Sequence, residues 1–184
     1  MIRVRMAAAL VVTAISSVVM TAQQVPVSPI ATAIDQLVSF DFAIRTEAAR
    51  TLRRAPAGDV VPALAGAARQ HSDSYVRYLA LVLLAGFGDA SAESTMRLLM
   101  GDPNDRLRAV IYGWFEHHPS REMLPTLVAA LDREQSEFVR PALTRALVAA
   151  HREPAARAAV EPLILAGEDY FRGSVIDALG DYQV

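Results

Sequence analysis

The residues of this sequence that invite a chemical reading are its arginines. All 18 basic residues are Arg and none is Lys. Five of them, Arg45, Arg77, Arg108, Arg140 and Arg172, recur at intervals of 31 or 32 residues, each directly after an apolar residue. A guanidinium presents its N–H donors as a rigid fork that fits a carboxylate or phosphate with two parallel bonds. One such group per repeat offers two chemistries: holding an anionic partner, or tying polar turns within the chain's own scaffold. The absence of Lys excludes Schiff-base catalysis and a phosphate-loop lysine. The absence of Cys excludes a thiol nucleophile, a thiolate metal site and a disulfide framework.

The remaining candidates are weaker. The histidines are His71, His117, His118 and His151, and Glu116 beside His117 and His118 suggests the start of a metal site. Neighbouring helical positions point about 100° apart, so the two imidazoles do not share a face. They read better as helix-end residues favoured by the macrodipole. Asp102 and Asp105, and Glu168 and Asp169, sit at helix starts, where carboxylates belong. Ser136 reads as a capping residue with no His nearby in sequence to activate it. The 9 glycines are scattered through turns and form no phosphate loop. These residues assign no catalytic, metal or cofactor-binding set, and the expectation is a protein that is not an enzyme.

The elements that carry the arginines follow from the pattern around them. Three residues after each Arg come Ala48, Ala80, Ile111, Leu143 and Val175, and seven after it Leu52, Leu84, Phe115, Leu147 and Leu179. With the apolar residue before each Arg, these offsets draw one stripe on a helix. Four residues before each Arg stand Asp41, Asp73, Asn104, Ser136 and Glu168, of which the first four are good N-caps. Between these helices the pattern predicts others over Pro29–Val38, Gly58–Arg69, Ala90–Met100, Ser120–Leu131 and Pro154–Leu165. Pro62 and Pro125 fall at matching places, which predicts a shared start or kink; Pro162 has no counterpart. A period of this length means a solenoid, here all-α, with about five antiparallel two-helix repeats. The chain is 53% apolar with a formal charge of only −2, which excludes a disordered chain.

The first 22 residues read differently. Arg3 and Arg5 precede an uncharged apolar stretch, Met6 to Ala22, the pattern of a secretory signal peptide. The alternative is an uncleaved inner-membrane anchor facing the periplasm. Residues 23–29 form a Pro-containing linker, and residues 30–184 form the solenoid. The expected location is therefore periplasmic or secreted. Cleavage removes two positive charges from −2 and leaves −4, which opposes nucleic-acid binding, since phosphate contacts need a basic stripe.

GDPNDRLRAVIYGWF (Gly101 to Phe115) and DSYVRYLALVLL (Asp73 to Leu84) carry an acidic turn, an apolar–Arg pair and a run ending in a large apolar residue. In this the chain resembles the HEAT-repeat family, particularly the short bacterial type grouped with phycobilisome-lyase-like repeats, over nearly all of residues 30–184. Repeat five departs from the pattern at Glu168 and Gly173, as a terminal repeat does. The resemblance implies that the Arg-bearing helix is the second of each pair and lines the concave side, where a protein or peptide partner binds. It also implies that the arginines bond the turns at Asp41, Asp73, Asp102 or Asn104, and Ser136. Positions one and five after each Arg then face the groove: Thr46 and Arg50, Tyr78 and Val82, Ala109 and Gly113, Pro141 and Arg145, Gly173 and Asp177. Arg50, Tyr78, Val82, Trp114 and Arg145 are the expected partner contacts. The alternative implied by the resemblance is an enzyme or enzyme accessory of the phycobilin-lyase type, which needs a chromophore pocket. Export argues against it, and no cofactor is assigned. Expressed in full in a Gram-negative host, the protein is expected in the periplasm with Gln23 as its first residue, as N-terminal sequencing of the recovered chain will read.

Overall fold

In a computed structural model, residues 28–88, 90–165 and 168–184 are described, and among them the regular structure is entirely helical. The leader and most of the linker lie outside the described residues. Ten α-helices follow in order: α1 Pro29–Gln36, α2 Phe42–Arg54, α3 Ala57–Gln70, α4 Ser74–Gly86, α5 Ala92–Leu99, α6 Asp105–His117, α7 Leu124–Leu131, α8 Arg140–Ala149, α9 Pro154–Val160 and α10 Asp169–Asp181, with a 3₁₀ turn, Glu161–Ile164, after α9. The even-numbered helices carry the five periodic arginines. They form one continuous row in which α2, α4, α6, α8 and α10 each pack on the next. The odd-numbered helices lie behind them, α1 against α3, α3 against α5, and α7 against α9. The architecture is an α-α superhelix of five two-helix repeats.

Local chemistry sets the helix ends. The carboxylate of Asp41 accepts the N–H groups of Ala43 (2.7 Å) and Ile44 (3.3 Å). Asp73 does the same for Tyr75 and Val76, and Asn104 for Arg106. Ser136 does not cap α8. That helix begins four residues later, with Pro141 in its first turn, and Ser136 contributes its backbone carbonyl to the N–H groups of Val139 and Arg140. Proline belongs in a first turn, where its missing N–H breaks no intrahelical bond, so Pro141 sets the start. Glu168 makes no side-chain cap to α10.

The other prolines sort by the same rule. Pro125 stands in the first turn of α7 and Pro154 in that of α9. Pro62 does not share Pro125's role; it lies well inside α3. There it offers the Gly58 carbonyl no N–H, at a place where both residues are exposed to solvent. At Pro162 α9 has already given way to the tighter 3₁₀ turn, and the proline stands in the first positions of that turn, where its missing N–H costs no bond. After α4, Gly88 takes φ +61°, the left-handed conformation open to glycine.

The core runs along the seam of the two layers. Relative to each Arg, the residues at −1, +3 and +7 are buried throughout the middle repeats. The ends differ. Ile44, the −1 residue of the first repeat, is 42% exposed, whereas Val76, Leu107, Val139 and Phe171 are buried. Ile176, the +4 residue of the last repeat, is 53% exposed, whereas Leu81, Tyr112 and Thr144 are buried. Position −1 is thus covered by the preceding repeat and +4 by the following one. In urea unfolding, Asp73→Ala is expected to lose about 1 kcal/mol with its cap, and Ser136→Ala less than about 0.5 kcal/mol.

Candidate interaction surface

The arginine ladder is built from each second helix outward. In three repeats Nη1 reaches back over the turn that precedes its own helix. Arg45 donates to the carbonyls of Ser39 (2.5 Å) and Phe40 (3.1 Å), Arg108 to those of Asp102 (2.7 Å) and Pro103 (3.2 Å), and Arg140 to that of Glu134 (3.2 Å). The rest of the guanidinium points across the seam. Arg108 grips Glu134 of the next repeat with two parallel bonds, Nε to Oε2 at 2.7 Å and Nη2 to Oε1 at 3.0 Å. Arg77 bonds Asp102 of the next repeat with Nη2 and the Ala68 carbonyl with Nε. Arg140 lies over the Phe171 ring, 4.0 Å from its centroid. Arg172 turns to Asp169 within its own helix.

These contacts single out a position that the periodic reading of the sequence does not isolate, six residues before each Arg. There stand Ser39, His71, Asp102, Glu134 and Ala166. The first four side chains each accept the backbone N–H two residues on: Asp41 to Ser39 Oγ, Asp73 to His71 Nδ1, Asn104 to Asp102 Oδ1 and Ser136 to Glu134 Oε1. The signal was four hydrogen-bond acceptors at one register position. Where that residue is a carboxylate, the previous repeat's Arg takes its free side. His71 cannot serve an arginine so. With Nδ1 accepting, its Nε2 carries the proton and meets Asp35 Oδ1 at 3.1 Å. The arginines do not bond Ser136 as the resemblance implies; the Ser136 N–H is itself held by Glu134.

Of the ten groove positions, at +1 and +5, none is buried. Tyr78 is half-buried and stacks on the exposed Tyr75, with ring centroids 5.9 Å apart and planes at 20°. Val82, one turn on, is exposed, and Arg50 pairs with Glu47 at 2.6 Å on open surface. Trp114 is a correction. It stands at +6, a position buried in every repeat after the first, and is itself 5% exposed, stacked on His118 and edge-on to Phe115. It packs the seam and offers a partner no surface. Arg145 is committed within the chain, joining Glu116 of α6 (2.9 Å) to Asp181 of α10 (2.6 Å). The Tyr182 hydroxyl joins the same Glu116 at 2.8 Å, and burial together with that bond pushes the phenol up to about 12. Sequence reasoning missed one feature of this surface. Two residues before Arg77, Arg140 and Arg172, the exposed aromatics Tyr75, Phe138 and Tyr170 stand at a register position on the same side as +1 and +5.

The histidines stay apart. Nδ1 of His117 lies 2.9 Å from the Gly113 carbonyl, and that of His118 3.0 Å from the Trp114 carbonyl, each satisfying an end of α6. Among the described residues, no three His, Asp or Glu side chains converge as metal ligands, and no helix is long and apolar enough to cross a membrane.

Glu134 is the buried acid of the ladder. Burial pushes its carboxyl up, but Arg108, the Ser136 N–H and Arg140 outweigh that and hold it below the usual carboxylate range. A depressed folded-state value means stability fully present above the ordinary Glu value, about 4.3, and lost as pH falls through the lower one. Glu134→Gln leaves Arg108 without its charge partner. It is expected to cost about 3 kcal/mol at neutral pH and to make the acid limb of the stability–pH curve shallower, both read from urea melts across pH.

Residues 30–113, which span the first two repeats and most of α6, match the family model for HEAT repeats. No curated protein matches the chain. The match and the helix pairing that runs on to α10 agree on one architecture, a stack of two-helix repeats.

Proposed function

We propose that this array is a non-catalytic interaction module, acting outside the cytoplasm, that holds a protein or peptide on the concave face of its second helices. HEAT repeats generally mediate protein–protein interaction, and a family match over the first repeats supports the same reading here. The observation that carries it is the patch on α4. Tyr75, Tyr78 and Val82 lie along one side of the helix and stay partly or wholly exposed. Aromatic side chains at the centre of an exposed face, with arginines near the rim, are the composition of a binding surface. Export is supported by Arg3 and Arg5 ahead of the uncharged stretch Met6 to Ala22. A membrane enters the reading only if that segment stays attached.

The test is a photo-crosslinking residue placed at Tyr78 in the full chain, with the captured partner identified by mass spectrometry. Tyr78→Ala and Val82→Glu are expected to abolish capture by a crosslinker placed at Tyr75 while shifting stability by no more than about 0.5–1 kcal/mol. Trp114→Ala is expected to act through the fold and cost about 3–5 kcal/mol. Capture that survives both surface substitutions would remove this face from the proposal.

A further inference from the structure

Between α2 and α4 lies a cavity of about 280 Å³. Arg45, Thr46, Arg53 and Tyr75 supply its polar lining, Leu37 and Leu79 part of its apolar wall, and no acidic residue contributes. The nearby carboxylates are committed elsewhere: Asp35 to His71, Asp41 to the start of α2, Glu47 to Arg50, and Asp73 to the start of α4. Two arginines therefore line one small cavity that has no carboxylate in its wall.

The chain itself shows what such a guanidinium takes. Arg45 and Arg108 occupy the same register position, and both use Nη1 on the carbonyls six and five residues back. In Arg108 the remaining edge, Nε and Nη2, holds the two oxygens of Glu134. In Arg45 that edge has no hydrogen-bond partner among the described residues; the guanidinium carbon lies over the ring of Phe42, 5.7 Å from its centroid. The cause is one residue. The acceptor that would serve Arg45 is His71, whose Nδ1 is held by the Asp73 N–H and whose Nε2 is held by Asp35. Arg53, about two turns along α2, is exposed and also has no carboxylate partner among the described residues. The hydroxyls of Thr46 and Tyr75 stand in the same lining as further donors.

We propose that this cavity binds a side-chain carboxylate, Asp or Glu, of an acidic segment in the partner, with the Arg45 fork taking both oxygens and Arg53 supplying the second charge. The proposal rests on the concave-face reading and names the partner's chemistry: an acidic peptide that enters beside Tyr75 and runs along the Tyr75–Tyr78–Val82 stripe. Arg45 in that complex does for the partner what Arg108 does for Glu134.

The probe is a fluorescein-labelled, C-terminally amidated peptide of alternating Glu and Gly, titrated with the full chain by anisotropy, beside its Gln counterpart. The Glu peptide is expected to bind at least about tenfold more tightly than the Gln peptide, and more weakly as salt is raised. Arg45→Lys keeps the charge and removes the fork. Arg53→Ala removes an exposed side chain with no structural bond. Each is expected to weaken binding about tenfold, and Arg157→Ala on α9 to leave it unchanged. Equal binding of the two peptides, no binding of the Glu peptide, or indifference to both variants would overturn the proposal. So would displacement by inorganic phosphate at equal concentration, or a preference for a Glu-free peptide with a free C-terminus. If the partner crosslinked through Tyr78 is still captured by Arg53→Ala at full yield, this site fails while the concave-face reading stands.

Discussion

No pair of helices in this chain can bury its own apolar surface. A two-helix unit of about thirty residues presents a stripe on each side, and only the next unit covers it. The −1 and +4 positions show the dependence directly, being buried from the second repeat to the fourth and open at Ile44 and Ile176 where no neighbour is described. Everything else follows from stacking. The second helices must run side by side, so their exposed faces form one surface. The turns before them must fall along one edge, so one arginine per repeat arrives there in register.

That edge carries the polar side of the same constraint. A turn between antiparallel helices leaves N–H and carbonyl groups without partners, and packing against a neighbour removes the water that would satisfy them. In the first four repeats the acceptor six residues before the Arg takes an N–H of its own turn, and in three of them the guanidinium takes a carbonyl of that turn. A single carboxylate such as Glu134 therefore serves two repeats, since it holds the Ser136 N–H and the Arg108 fork together. Apolar burial and this shared carboxylate tie the same two units. An exposed arginine pair contributes little, but Glu134 is 5% exposed, and there the geometry of both bonds decides whether the seam holds.

Much of the fold was legible because its signals are local and repeated. The offsets −1, +3 and +7 from each Arg give the helices, and Asp41, Asp73 and Asn104 give three of their starts. Ser136 misled because Pro141 competes for the start of α8, and a ring that fits the first turn outweighs a weak cap. The surface was less legible. Position +6 is polar as Thr51 but apolar as Leu83, Trp114, Ala146 and Ala178, so the pattern alone left Trp114 on a face it does not occupy. Arg145 failed differently: nothing near it in sequence indicates Glu116 or Asp181, which lie 29 and 36 residues away and meet it through the stacking. Contacts across seams become readable only once the register between repeats is known.

The first seam differs from the two that follow it, and the difference has a structural origin. At the second and third seams Arg77 and Arg108 find their counter-charge in the next repeat, so the edge there is closed by its own residues. At the first seam His71 stands in the acid's place and is drawn backward to Asp35 on α1. That contact fastens α1, a helix of 8 residues without a side-chain cap, to the turn before α4. The histidine thus secures the short first helix and leaves Arg45 its outer edge. The same α2–α4 pair carries Tyr75 and Tyr78, so two guanidinium groups without a carboxylate partner among the described residues and an aromatic surface adjoin. A ladder arginine whose fork is filled by the next repeat has no edge left for a partner. One substituted rung beside an aromatic face leaves Arg45 that edge, which is what the proposed recognition rests on, without any change in how the helices stack.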